Sequence, residues 1–194
     1  MSDTSRSTLS FEHRYNQALA ALAPFFMNDP STDVETAREA AKSILDCHRA
    51  ATPKELQLAT EIVAFGWAAL ACLSAGAAVK SNSLDEMMDW QDSAIKLNRL
   101  SMKSTKALEV RQKERAKNPR AMTPENTRWD EGAFQLAINR ALEKVTEANA
   151  KLKVFMAEMT PAAAVPVPVE PKVKMPILFA EQMTPSVLAR RARH

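Results

Sequence analysis

Residues 138–159 read Ile-Asn-Arg-Ala-Leu-Glu-Lys-Val-Thr-Glu-Ala-Asn-Ala-Lys-Leu-Lys-Val-Phe-Met-Ala-Glu-Met. Their apolar members, Ile138, Ala141, Val145, Ala148, Leu152, Phe155 and Met159, recur at alternating intervals of three and four. A strand would repeat every two residues; this spacing places every one of them on a single helical face. It is the pattern of coiled-coil a and d positions, and it runs longer than one neighbouring helix need cover. The chain is therefore expected to self-associate, as a homodimer, through Ile138, Val145, Leu152, Phe155 and Met159.

Working outward, the remaining segments also read as helices, and their starts are marked. Thr32-Asp33-Val34-Glu35, Thr52-Pro53-Lys54-Glu55 and Ser83-Leu84-Asp85-Glu86 are capping boxes, the second with proline at the first helical position. Thr123-Pro124 and Thr184-Pro185 are further helix openings. These signals predict helices over about Ser7–Ala23, Asp33–Arg49, Pro53–Val79, Leu84–Lys117 and Pro124–Met159. Inward residues would be Leu9, Tyr15, Leu19 and Leu22 on the first helix, and Val34, Ala37, Ala41, Ile44 and Leu45 on the second. On the fourth, Leu84, Met88, Ile95, Met102 and Leu108 form the apolar face, interrupted by a polar seam of Gln91, Asn98, Ser101 and Thr105. Such a seam sets register or oligomeric state, or else marks a helix half surrounded by water.

The expectation is an all-α fold: a bundle of about five helices over 1–160, with a long antiparallel helical hairpin and a Pro-rich C-terminal arm. The hairpin is assigned to the fourth and fifth helices. The arm divides into a Pro-rich linker, 161–176, and an apolar and basic tail motif, 177–194. Only three of the 194 residues are glycine, against a usual share of about 7%. Phosphate-cradling loops and nucleophile elbows need glycine where the backbone bends sharply or meets a ligand, and none of their motifs is present.

Net charge is +3, but it is unevenly distributed. Residues 61–95 carry −4 and residues 96–120 carry +7. A run of cations of this density suits a phosphate backbone. Lys103, Lys106, Arg111, Lys113, Arg115, Lys117 and Arg120 are the candidate nucleic-acid contacts, with a solvated basic face as the alternative. No aromatic side chain is interleaved to stack on bases, so such binding would be weak.

Ile62–Val79 contains no charged residue and has the length of a membrane span. Ala64, Ala68, Cys72 and Gly76 even form a ladder of small residues. Its many alanines and lack of an aromatic or basic belt favour a helix buried within a bundle. Asp46-Cys47-His48 resembles a nucleophile with its base, but side chains adjacent on a helix diverge by about 100°. No catalytic residue, metal ligand or cofactor site is expected. With two cysteines and no apolar leader in Met-Ser-Asp-Thr-Ser-Arg, a reducing, cytoplasmic setting is expected.

In the tail, Ile177, Leu178, Phe179, Met183, Val187 and Leu188 precede Arg190, Arg191 and Arg193. Apolar anchors followed by cations behind an extended spacer have the layout of a tethered ligand for a protein partner. The alternative is that the anchors fold back onto the chain's own bundle and cap a groove there. In composition the helical region resembles small alanine-rich helical proteins of bacteria, the phasins among them. That resemblance would imply a coat on a granule or membrane surface. The residues themselves favour a non-enzymatic scaffold or adaptor that self-associates and binds a protein partner through its hairpin and tail.

Overall fold

The computed structural model describes residues 3–27, 32–79, 83–118 and 128–159, with side chains from residue 11 onward. Arg120, the Thr123-Pro124 opening and everything from 160 to the C-terminus, including the whole linker and tail motif, lie outside the described residues. Within them the chain is all α: α1 (Asp3–Phe26), α2 (Val34–Cys47), α3 (Pro53–Ala77), α4 (Leu84–Lys117) and α5 (Glu131–Met159).

The capping chemistry is clearest at α3. Thr52 Oγ1 accepts from the Glu55 amide at 3.2 Å, and the Glu55 carboxylate reaches back to the Ala51 amide at 2.8 Å. At α2 the cap falls one residue later than the sequence suggests: Asp33, not Thr32, accepts from the Thr36 amide at 2.6 Å. That bond also holds the Asp33 carboxyl below its ordinary pKa. Ser83 precedes α4 but makes no side-chain cap bond. At its C-terminus α2 is turned off by Arg49, whose φ of 51° is left-handed.

The central element is α3. Its small residues, Ala64, Ala68, Cys72 and Ala75, have no exposed surface, and they let neighbouring helices approach closely. Gly76 is the tightest point, since a Cβ there would stand 3.2 Å from the Trp90 Cβ. α4 packs antiparallel along the length of α3, from Gly76 beside Trp90 to Glu55 beside Arg115. The long hairpin is thus α3 with α4, not the fourth helix with the fifth. α5 lies along another side of α3 and runs parallel to it, with Asp130 donating from its amide to Gln57 at 3.1 Å. Between α4 and α5 stands the ion pair Glu86–Lys151, at 2.6 Å. The sequence displayed a stripe on each long helix but could not say that both helices would pack on the same alanine-rich neighbour.

α5 buries Phe134, Ile138, Ala141, Val145 and Ala148, the expected intervals of four and three. α1 and α2 pair with each other, and α1 rests on α3 and on the start of α5. Leu19, Leu22, Phe25 and Leu45 are buried from this pair. Arg14 and Gln17 reach Glu131, and the Arg14 guanidinium lies 5.3 Å over the Trp129 ring. Tyr15 donates to Asp46; burial first, and then that carboxylate, raise its phenol pKa.

The inner face of α4 differs from expectation. Ala94, Leu97, Ser104 and Leu108 are buried, whereas Leu84, Met88, Ile95 and Met102 are exposed. Val34 on α2 is exposed too. Two serines, Ser101 of the seam and Ser104 beside it, explain the rotation of α4. Ser104 donates to Glu61 at 2.8 Å and Ser101 to the Ile62 carbonyl at 3.2 Å, so small polar side chains face α3. Gln91 and Asn98 are exposed, Asn98 at the edge of α3.

Candidate functional site

The most distinctive surface is an apolar groove along α3. Its floor carries Ile62, Gly66 and Ala69, and its walls are Ile44 and His48 of α2 and Ile95 and Asn98 of α4. The open volume is about 680 Å3, within the range of ligand clefts. The groove has two causes. α2 touches α3 only lightly, and Gly66 leaves its position empty, with nothing within 4 Å of where a Cβ would stand.

A second hollow, of about 690 Å3, opens on the α5 side between Phe25, Met27, Val145, Leu152 and Met156. Trp67 and Leu70 line both. Phe26 meets the Trp67 ring edge-on at 5.1 Å. Beyond that contact Leu70 and Leu73 are 56% and 49% exposed, large apolar groups on the helix that the others pack around. The two hollows are therefore the two sides of a single uncovered apolar surface. The sequence carried a signal for it: Trp67, Leu70 and Leu73 are large residues spaced by three among alanines, beside a mid-helix glycine.

At the opposite end of α3 the polar groups are bonded to one another. Glu55 has no exposed surface and accepts from Arg115 at 2.9 Å. Gln57, also fully buried, donates to Glu61 at 3.0 Å and accepts from Lys54 at 3.1 Å and the Asp130 amide. Thr60 donates to the Leu56 carbonyl at 2.8 Å. Among the described residues no buried side-chain nitrogen or oxygen lacks a partner. These groups lock α3, α4 and α5 together rather than converging on a cavity.

The basic stretch is divided by the fold. Lys103, Lys106, Lys113 and Lys117 are exposed. Arg115 is committed to Glu55, and Arg111 is half-buried and also has an interaction within the chain. These two are therefore not free phosphate contacts. The self-association set is divided as well. Ile138 and Val145 are buried within the protomer's own core, Val145 at the edge of the hollow on the α5 side. Leu152 and Phe155 are half-buried, and Met159 is exposed.

Asp46, Cys47 and His48 do not converge. Asp46 accepts from Tyr15, the Cys47 thiol donates to the Ser43 carbonyl, and the His48 carbonyl accepts from Gln112 at 2.7 Å. Burial lowers the His48 pKa. Cys72 is buried beneath α5, and burial raises its thiol pKa. Among the described residues no three His, Cys, Asp or Glu side chains are grouped so as to hold a metal ion. α3 is long and apolar enough to cross a membrane, and 56% of its most apolar stretch is buried in the bundle. No protein-family model, curated protein or solved structure matches this chain.

Proposed function

We propose that this protein is a non-enzymatic helical scaffold or adaptor that self-associates and receives a protein partner on the uncovered face of α3. The observation that supports the reading is the pairing of exposed Leu70 and Leu73 with the vacant space above Gly66. Contiguous exposed apolar area flanked by polar residues is characteristic of interaction sites. A groove between helices suits an amphipathic helix, whose residues at i, i+3, i+4 and i+7 would fill it. The tail anchors from Ile177 to Arg193 enter the proposal from sequence alone, as a second, tethered point of attachment.

The test is a photo-crosslinking residue at Leu73, activated in the native cell, with and without Gly66→Leu. A protein adduct of defined mass, neither monomer nor dimer, is expected, and filling the groove should remove it. An adduct with lipid only, no adduct, or a protein adduct indifferent to Gly66→Leu would overturn the partner reading.

A further inference from the structure

The outer face of α4 presents an exposed stripe of Leu84, Met88, Ile95 and Met102, the last three seven residues apart. These four side chains are half or more exposed, and Ile95 also stands in the wall of the groove along α3. Beside it, on one flank, run Asp85, Asp92, Arg99 and Lys106, again at intervals of seven and all exposed. Among the described residues none is an ion-pair partner of these four. Along one line of the helix surface the charges therefore read minus, minus, plus, plus.

From this arrangement we infer that a second copy of the chain covers the stripe, with the two α4 helices antiparallel and crossing near Ile95. In an antiparallel helix pair a flank faces the same flank of its partner. Turning the helix end for end about Ile95 sets Asp92 against the partner's Arg99 and Asp85 against the partner's Lys106. The same rotation sets Met88 against the partner's Met102 and Ile95 against itself. Charge and apolar pattern thus select one register and one direction. A parallel pair would set this flank against the other one, where Gln91, Asn98 and Thr105 offer no charge to match. The surface is self-complementary, as a two-fold interface must be. The inference rests on the self-association in the proposed function and places it on α4 rather than on α5.

Light scattering and sedimentation of the full chain at low salt, on wild type and charge-reversed variants, provide the test. Asp92→Arg and Arg99→Asp are each expected to raise the dimer dissociation constant at least tenfold. Combined in one chain they should restore it to within a few-fold, because each reversed charge again meets its opposite. In a Cys47→Ser background, Ile95→Cys should crosslink to itself. Met88→Cys should crosslink to Met102→Cys on another chain but not to itself. A dimer unaffected by the single reversals, or a double variant no better than the worse single one, would overturn the α4 interface while leaving self-association standing. A wild type that stays monomeric at high micromolar concentration would overturn both.

Discussion

Arg115, in the last turn of α4, donates a 2.9 Å hydrogen bond to Glu55, a carboxylate with no exposed surface in the first turn of α3. The pair closes the α3–α4 hairpin at the end far from its connection. A carboxylate held this deep is tolerable only while its charge is matched and its oxygens are bonded. Glu55 meets both conditions, with Arg115 on one oxygen and the Ala51 amide on the other.

Arg115→Met should therefore destabilise the fold by about 3 kcal/mol, since truncating one partner strands a buried charge. The arginine is itself a third exposed, and this places the loss at the lower end of the usual range. The double variant Glu55→Gln with Arg115→Met should recover most of the stability. Urea melts of the four species check this. Additive losses would show that the two residues do not act as a pair.

The helices and their caps were legible in the sequence to the extent that local chemistry decides them. Thr52 and Glu55 lie within one turn of each other, so their bonds need nothing from the rest of the chain. The inner face of α4 was not legible in the same way. Leu84, Met88, Ile95 and Met102 have more apolar area than Ala94 and Ser104, and area alone points them inward. The deciding factor was the shape of α3, whose small residues accept small neighbours and whose Glu61 carboxylate and Ile62 carbonyl accept from Ser104 and Ser101. Periodicity shows that a helix has an apolar face; it does not show which neighbour that face will meet.

Gly66 lies mid-helix with open space in front of it. Gly66→Ala should stabilise the protein by up to about 1 kcal/mol, the usual helix-interior difference between the two residues. In a domain of this size that raises Tm by roughly 2–4 °C. Calorimetry on the two proteins decides it, and a lower Tm would mean that the groove floor is closer-packed than described.

Arg49 ends α2 in the left-handed region, at φ 51°, where a Cβ is penalised and glycine is not. Its side chain is exposed, so little packing is lost on removing it. Arg49→Gly should raise stability by about 0.5–1 kcal/mol, and Arg49→Val should lower it by more. Thermal melts of the three proteins would show that order. Equal melting points for glycine and valine would contradict the cap geometry.

Affinity for duplex DNA is expected to be weak, indifferent to sequence and steeply dependent on salt. Among the described candidate contacts only Lys103, Lys106, Lys113 and Lys117 are exposed, and phosphate neutralisation is all they offer. Fluorescence anisotropy with random duplexes at two salt concentrations tests this. Lys113→Gln with Lys117→Gln should flatten the salt dependence by about two counterions. Submicromolar binding to one sequence, retained at high salt, would contradict this expectation.

His48 carries the acid sensitivity of the groove wall. Its folded pKa lies below the ordinary 6.5, and the cause is burial. The unfolded chain therefore binds the proton more readily than the folded one, so stability rises with pH through this interval. The contribution is complete above about pH 6.5 and is lost as pH falls through the lower folded pKa. Replacing the imidazole by an amide, in His48→Gln, removes the titration while keeping a polar side chain of similar size. Between pH 7.5 and pH 5 the wild type should lose more Tm than His48→Gln does. The carboxylates titrate equally in both proteins and cancel from the comparison. Parallel Tm–pH profiles would show that water reaches the ring freely and that the groove wall at His48 is open.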